Sequence, residues 1–290
     1  MRIGIISNPA KDRNHATALQ AAREIVHAGG TAVMGVEHRA AALSACPELT
    51  FGSFDGCSAI LCLGGDGTFL SAVQSHYFSD IPLIGVNLGS LGFLAEIQPA
   101  DLAPSIHAIL DGRTRIEPRM MLSVTTLASN GLEKSSHMAL NDAVVSRGGI
   151  SRILTVDLYL DGRHVETVPG DGLIVSSPTG STGYSLSAGG PIIRPDLELM
   201  LVTPICPHTL HNRSYITSSD SDVEIVIGDY PYNPVLTVDG RAETLLEPGD
   251  RVHVRRAEKP LRLLRLGAPD FFGTLPGKIY ARGGQDADKA

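Results

Sequence analysis

Three glycine-rich segments carry the residues that could do chemistry. The first is Leu63-Gly64-Gly65-Asp66-Gly67-Thr68, where one carboxylate lies among glycines, directly after an apolar run. Glycines let the backbone approach a ligand closely, and the start of a helix presents free N–H groups to a phosphate. A carboxylate beside phosphates repels them unless it holds a metal ion or accepts a proton, and both roles suit phosphoryl transfer. The alternative is a tight strand-to-helix turn in which Asp66 or Thr68 caps the helix.

The other two segments are richer in backbone and hydroxyl donors. Residues 87–94 follow a second apolar run and predict a second loop at the same sheet edge, in which Phe93 either stacks on a base or belongs to the core. Residues 170–191 combine Asp171 with a run of Ser, Thr and Gly and with Tyr184. Small hydroxyls and free amides suit phosphate or ribose oxygens, whereas the alternative is a long surface loop.

A polar pair, Asn141-Asp142, interrupts a β-rich run. One interpretation is a turn at a sheet edge. The other is an amide and a carboxylate that bind ribose hydroxyls or an adenine edge.

The elements that must position these residues change in character near residue 120. Before that point, β-rich runs such as Arg2 to Ile6, Ala59 to Leu63 and Leu83 to Val86 alternate with helical patterns such as Ala16 to Ala28. This order predicts an α/β N-terminal domain with a mostly parallel sheet. After it, short β-rich runs are separated by turn dipeptides such as Asp239-Gly240, which predicts a mainly antiparallel, β-rich C-terminal domain.

Composition excludes several function classes. The 290 residues are 43% hydrophobic and carry a formal charge of −7, which argues against nucleic-acid binding through broad positive charge. The longest apolar runs fall short of the roughly 18 residues that span a bilayer, and we expect no membrane association. Four cysteines without a CxxC pair argue against a zinc site and fit the reducing cytoplasm.

The motifs together resemble the NAD kinase family over nearly the whole chain. Gly64-Gly65-Asp66-Gly67-Thr68, Leu140-Asn141-Asp142 and Pro178-Thr179-Gly180-Ser181-Thr182-Gly183-Tyr184 occur in that family's order and spacing. So do Leu91-Gly92-Phe93, Asp171-Gly172, Pro207-His208-Thr209-Leu210 and Phe271-Phe272-Gly273-Thr274-Leu275. The Gly-Gly-Asp-Gly turn alone also resembles lipid kinases and phosphofructokinases, whereas the Pro-Thr-Gly-Ser-Thr stretch is strongly specific.

The resemblance implies a reaction and a domain division. The 2′-hydroxyl of the adenosine ribose of NAD attacks the terminal phosphoryl of ATP, with Mg²⁺ or another divalent ion, and gives NADP and ADP. We expect residues 1–119, completed by the tail 268–290, to form the α/β domain, residues 120–267 to form the NAD-binding domain, and the active site to lie between them. The family also implies a homodimer or homotetramer.

Residue roles follow from the same resemblance. Asp66 is expected to act as the general base, or at least to orient the 2′-hydroxyl. Gly64, Gly65, Gly67 and Thr68 are expected to frame the donor phosphates. The residues expected to contact NAD are Asp66, Gly67, Phe93, Asn141, Asp142, Asp171, Thr182, Gly183, Tyr184 and Ser187, and, across a subunit interface, Cys206 and His208. For Cys206 and His208 a purely structural role is the stronger interpretation, and no residue is singled out as a metal ligand.

Two positions depart from the family pattern. Asp142 stands where the family usually has Glu, which moves the carboxylate by one methylene. Gly183 stands where the family usually has Ala, which removes a small apolar contact. The sequence leaves open whether polyphosphate replaces ATP as donor and whether NADH is accepted.

Two other functions compete with this interpretation. A lipid kinase would share only the Gly-Gly-Asp-Gly turn and would need a path for an acyl chain, so the product distinguishes it. A dinucleotide-binding sensor would bind the ligand without turning it over. The presence of Asp66 argues against a sensor, because binding alone requires no general base.

Overall fold

The chain divides into two compact units. The structure, a computed structural model, describes residues 1–76, 80–89, 92–149, 152–210, 212–267 and 270–283. Unit 1 comprises Met1–Pro118 and a second segment that begins at Leu261, and unit 2 comprises Arg119–Pro260. Ser90 and Leu91 of the second glycine-rich segment, and 268, 269 and 284–290 of the predicted tail, lie outside the described residues.

Unit 1 is built on an eight-stranded sheet. Its strands are β1 (Arg2–Ser7), β2 (Thr31–Met34), β3 (Leu49–Phe51), β4 (Ala59–Gly64), β5 (Leu83–Asn87), β6 (Ala95–Ile97), β7 (Arg115–Arg119) and β20 (Leu261–Arg265). Their order is β3-β2-β1-β4-β5-β20-β7, with β6 beside β5. The pairings from β3 to β20 are parallel, and β4 and β5 are buried along their whole length, as strands covered on both faces must be.

The described helices that lie between consecutive strands of this sheet are α1 (Ala16–His27), α2 (Ala41–Ser44), α3 (Asp66–His76) and α4 (Leu102–Leu110). The apolar stripe of α1, which includes Ala18, Ala22 and Ile25, packs on the core of unit 1 together with β1 and β4. The predicted α/β character of this part of the chain is therefore confirmed.

Unit 2 contains two six-stranded antiparallel sheets. One has the order β15 (Tyr215–Ser218), β14 (Leu199–Ile205), β13 (Gly172–Ser176), β10 (Asp142–Ser146), β17 (Val235–Val238), β18 (Ala242–Leu245). The other has the order β12 (Arg163–Gly170), β11 (Leu154–Leu160), β16 (Val223–Ile227), β19 (Arg251–Arg256), β8 (Leu122–Leu127), β9 (Glu133–Ala139). A short helix, α5 (Tyr184–Ser187), lies between β13 and β14 in the chain.

A single large core joins the two sheets of unit 2. Side chains such as Val145 and Val175 of the first sheet share it with Val156 and Ile225 of the second. The first sheet is also covered on its other face, where Val144 and Ile174 pack with Ile205 and Ala188. The β-rich, antiparallel C-terminal part predicted from the sequence is confirmed, and in its first sheet β13 is buried along its whole length.

The last strand corrects the predicted domain boundary. The sequence predicts that the β-rich domain continues to residue 267 and so includes Leu261–Arg265. Instead, β20 pairs in parallel with β5, and the chain enters unit 1 at Leu261, before the helix α6 (Phe271–Gly283). The reason is that four of the five residues of β20 are buried, and that Leu263 and Leu264 of this strand are buried in unit 1.

Within the described part of the chain, no helix is both long and apolar enough to span a bilayer.

Candidate active site

Asp66 lies at the point where β4 turns into α3. The strand ends at Gly64, and the helix begins at Asp66 itself. The backbone N–H groups of Thr68 and Phe69 both donate to the Gly65 carbonyl, at 2.9 and 3.1 Å, which starts the helix. The Asp66 side chain is half-buried and Gly67 is exposed, so the turn presents its carboxylate and its backbone together.

The second glycine-rich loop fixes the Asp66 carboxylate. Its oxygens accept hydrogen bonds from the backbone N–H of Phe93 at 3.0 Å and of Leu94 at 3.2 Å. A Cβ atom at position 92 would overlap Asp66 Oδ1, so this approach requires Gly92. The predicted meeting of the two loops at one sheet edge is confirmed.

The glycine turn also packs tightly on itself and on the next strand. The backbone N–H of Leu88 donates to the Gly64 carbonyl at 2.8 Å. The Thr68 side chain is buried against the position where Gly64 lacks a Cβ atom. Thr68 Oγ1 accepts a hydrogen bond from Asn8 Nδ2 at 3.0 Å, a contact that no sequence pattern predicts.

In unit 2, residues 177–182 form a buried loop attached to the Leu140-Asn141 turn. Ser177 N–H donates to the Asn141 carbonyl at 2.9 Å, and Ser177 Oγ donates to the Leu140 carbonyl. A Cβ atom at position 180 would overlap the Asn141 carbonyl, so Gly180 allows the contact. The interpretation of this stretch as a long surface loop is wrong for residues 177–182, because all six are buried.

The Asn141-Asp142 pair lies where the chain passes from one sheet of unit 2 to the other. Strand β9 ends at Ala139 and β10 begins at Asp142, so the single β-rich run of the sequence is in fact two strands. Asn141 is half-buried and Asp142 is buried. Burial raises the pKa of Asp142 to about 7, and the negative charge of Asp239 adds to the increase.

Tyr184 lies close enough to Asp142, Asp171 and Cys206 to interact with each of them electrostatically. Burial raises the pKa of the Tyr184 hydroxyl, and the charges of Cys206, Asp171 and Asp142 raise it further. Asp171 itself forms an ion pair with Arg147, with 2.9 Å between Asp171 Oδ1 and Arg147 Nε. Gly183 also lies near Asp142, because a Cβ at position 183 would lie 3.7 Å from Asp142 Oδ2. Five of the residues predicted to bind NAD therefore lie in one cluster: Asp142, Asp171, Gly183, Tyr184 and Cys206.

The remaining predicted contacts lie around this cluster. Thr182 is buried and its hydroxyl donates to the Thr179 carbonyl at 3.3 Å. Ser187 is exposed at the end of α5, and His208 is exposed with its backbone N–H bonded to the Pro169 carbonyl at 2.8 Å. Two residues that sequence reasoning missed belong here: Asp239 and Arg147.

Family models match both units. The model of the ATP-NAD kinase N-terminal domain matches residues 3–114, and that of the ATP-NAD kinase C-terminal domain matches residues 140–266. The chain belongs to the NAD kinase family. The resemblance inferred from the motifs is thus confirmed, and the lipid-kinase alternative finds no support.

Curated relatives in this family match the chain over almost its full length. The NAD kinase of Ruminiclostridium cellulolyticum is 38% identical over 282 residues, 97% of this chain and 98% of the relative. The NAD kinase of Moorella thermoacetica is 40% identical over 291 residues, 99% of this chain and 92% of the relative.

Solved structures agree on the fold. A yeast NADH kinase complexed with NADH matches with a TM-score of 0.84 at 23% identity, over 100% of this chain and 89% of that one. An NAD kinase from Archaeoglobus fulgidus in complex with ATP matches with a TM-score of 0.70 at 22% identity, over 97% and 99%.

Proposed function

We propose that this NAD kinase family member transfers the terminal phosphoryl group of ATP to the 2′-hydroxyl of the adenosine ribose of NAD, giving NADP and ADP. Asp66 is the proposed general base. The observation that carries this role is the position of its carboxylate, held by the N–H groups of Phe93 and Leu94 at the carboxyl end of a buried parallel strand. Open parallel sheets bind ligands at that edge.

Asp66 would act late in the reaction. A ribose hydroxyl is a far weaker acid than a carboxyl group, so Asp66 cannot take its proton before phosphoryl transfer begins. In a loose transition state the hydroxyl becomes acidic as its oxygen bonds to phosphorus, and an aspartate in hydrogen-bond range then accepts the proton. The two backbone N–H groups orient the carboxylate for this step and limit its motion.

The cluster in unit 2 is the proposed binding site for the adenosine half of NAD. Asn141 and Asp142 offer an amide and a carboxyl group to ribose or adenine, Thr182, Gly183, Tyr184 and Ser187 surround them, and Asp171 would contact the other nucleoside. The loop around residues 177–182 is already held by hydrogen bonds within the protein. Little ordering is therefore needed when the ligand binds.

Divalent metal is best understood as part of the donor. Among the described residues, no group of three or more His, Cys, Asp or Glu side chains could hold an ion. Mg²⁺ commonly enters such sites on substrate phosphates with only one or two protein carboxylates. We infer that ATP binds as MgATP, because its phosphates supply oxygen ligands for Mg²⁺. The metal would contribute by neutralising charge on the phosphates.

The oligomeric state of the protein and its location in the cell stay predictions. We expect a homodimer or homotetramer, with Cys206 and His208 near the partner, and light scattering on purified protein would measure the mass in solution. We also expect the protein to work in the cytoplasm.

The experiment that tests the proposal is NADP formation. Purified protein is incubated with NAD, ATP and Mg²⁺, and NADP is detected with an NADP-specific dehydrogenase. Asp66→Asn is expected to lower kcat by about 10²- to 10⁴-fold while NAD binding, measured by calorimetry, is kept. Asp101→Asn, an exposed aspartate of unit 1, is the control and is expected to behave as the wild type.

A wild-type protein that binds NAD but forms no NADP with ATP or polyphosphate would favour the sensor interpretation instead. If Asp66→Asn had a kcat close to that of the wild type, Asp66 would not be the general base.

A further inference from the structure

The loop that follows β1 carries a basic side chain that the motifs did not indicate. The backbone N–H of Asn8 donates to the Leu63 carbonyl at 3.0 Å, and its side chain donates to Thr68. The N–H groups of Lys11 and Asp12 both donate to the Asn8 carbonyl at 2.9 Å. The loop is therefore bound to the glycine turn on one side and closed into a turn of its own.

Asp12 anchors the other end of this loop. It is buried, and its carboxylate accepts hydrogen bonds from Ser7 Oγ at 2.8 Å and from the N–H groups of Thr17 and Ala18 at the start of α1. Because both ends are fixed, the direction in which Lys11 leaves the loop is restricted.

The Lys11 ammonium lies over the backbone of two glycines from different loops. A Cβ atom at Gly65 would lie 2.6 Å from Lys11 Nζ, and one at Gly89 would lie 3.4 Å from it. The glycines after β4 and after β5 thus leave a space that the ammonium partly fills. Among the described residues Lys11 has no carboxylate partner, so its charge is available to a ligand.

The strand order makes this position a ligand site for a general reason. From β1 the chain moves to β2 and β3 on one side, whereas β4 and β5 lie on the other side. The crevice between β1 and β4, at their carboxyl ends, is therefore the topological switch point of the sheet, where α/β folds bind ligands. Lys11 follows β1 and Gly65 follows β4.

Charge decides which ligand fits. In residues 8–11, 64–68 and 87–89, Lys11 is the one cation and Asp66 the one carboxylate. The chain carries a formal charge of −7, so a polyanionic donor needs a local positive charge to bind beside Asp66. An ammonium is a compact point charge that binds phosphate oxygens without needing a planar partner.

We propose that Lys11 binds the phosphate chain of the phosphoryl donor through its Nζ. The inference rests on the proposed function and adds a residue to it. Lys11 takes no part in proton transfer. Because it contacts phosphates and not the nucleoside, it contributes equally to the binding of ATP and of inorganic polyphosphate, if the latter is a donor.

The test compares three variants in the NADP assay. Lys11→Gln removes the charge and keeps a long polar side chain, and Lys11→Arg keeps the charge. Arg13→Gln is the matched control, because Arg13 is an exposed cation of the same loop. We expect Lys11→Gln to lower kcat/KM for ATP about 10- to 100-fold, the effect of one charged hydrogen bond, with KM for NAD within twofold of wild type. Lys11→Arg should recover most of the loss, and Arg13→Gln should behave as the wild type.

Direct binding separates this inference from the proposed function. MgATP affinity is measured by calorimetry in the wild type, in Lys11→Gln and in Asp66→Asn. Weaker MgATP binding in Lys11→Gln alone supports the role of Lys11, even if no NADP is formed and the proposed function fails. Unchanged MgATP affinity and unchanged kcat/KM for ATP in Lys11→Gln overturn the inference, as does an equal loss in Arg13→Gln or a wild type that does not bind MgATP.

Discussion

The carboxylate of Asp239 accepts a hydrogen bond from the backbone N–H of Asn141 at 2.8 Å. The same carboxylate accepts from the N–H groups of Leu140 at 2.9 Å and of Asp142 at 3.2 Å. In return, the Asp239 N–H donates to the Asp142 carbonyl at 3.0 Å. One side chain therefore holds the whole turn that presents Asn141 and Asp142. Burial raises the pKa of Asp239, and the three N–H groups act against that increase.

We predict that Asp239→Asn weakens both the fold and the binding of NAD. The amide keeps one acceptor but cannot serve all three N–H groups, and hydrogen bonds to a charged group contribute about 1.5–3 kcal/mol. Urea unfolding should show a loss in that range, and KM for NAD should rise about tenfold, with a smaller change in kcat. Glu243→Gln, an exposed residue of β18, is the control. A variant with normal KM for NAD would show that Asp239 has no positioning role.

The sequence predicted the elements and the motif-bearing residues better than it predicted their partners. The sequence locates Asp66 at a strand-to-helix turn, because an apolar strand precedes it and a helical pattern follows. Asp239 is 98 positions from Asn141, and its Asp-Gly pair indicated only a turn. Lys11 lies in a polar loop with no distinctive spacing. Its position beside the glycine turn follows only from the adjacency of β1 and β4, which the sequence does not show. The sequence assigns β20 to the wrong unit, because a five-residue run with three leucines does not reveal which sheet it joins.

The second prediction concerns pH and the buried carboxyl of Asp142. Its pKa is raised to about 7 by burial and by the charge of Asp239, whereas in the unfolded chain it has the ordinary value near 3.8. The folded state thus favours the protonated form, and the stability that this provides is present below about pH 4 and is lost as pH rises through 7.

Asp142→Asn should therefore gain stability relative to wild type as pH rises. The amide cannot ionise, so the difference in Tm between Asp142→Asn and wild type should shift by several degrees in favour of the variant from pH 5 to pH 8. Thermal unfolding at the two pH values measures it, with Asp220→Asn, an exposed aspartate, as the control. An equal Tm difference at both values would contradict the raised pKa.

The third prediction concerns the two departures from the family pattern, which lie side by side. A Cβ at Gly183 would lie 3.7 Å from Asp142 Oδ2 and 3.1 Å from the Gly180 carbonyl. Both changes shorten side chains at one point of the proposed adenosine site, so substitutions there should not be independent. We predict that the effects of Gly183→Ala and Asp142→Glu on KM for NAD are non-additive by at least threefold in a double-mutant cycle. The control is Gly183→Ala combined with Asp220→Asn, whose effects on KM for NAD should be additive. If the effects of Gly183→Ala and Asp142→Glu were also additive, the two departures would act separately.

The fourth prediction concerns how the end of the chain is held in unit 1. Glu96 Oε1 accepts hydrogen bonds from the N–H groups of Leu266 and Gly267, both at 3.1 Å. Its other oxygen pairs with Arg265 at 3.4 Å, and the buried Arg265 also pairs with Glu117 at 3.4 Å. The residues that directly follow β20 are thus fixed by one partly buried carboxylate.

Glu96→Ala should destabilise unit 1 by about 1–3 kcal/mol, because it leaves two N–H groups unpaired and weakens the pairing of a buried guanidinium. Glu96→Gln keeps an acceptor for the N–H groups and should lose less. Urea unfolding measures both, and hydrogen exchange should accelerate at the amides of β20. The control is Asp111→Asn, which breaks an exposed ion pair with Arg113 and should cost less than about 1 kcal/mol. If Glu96→Ala were no more destabilising than Asp111→Asn, the return of the chain into unit 1 would depend on the apolar contacts of Leu263 and Leu264 alone.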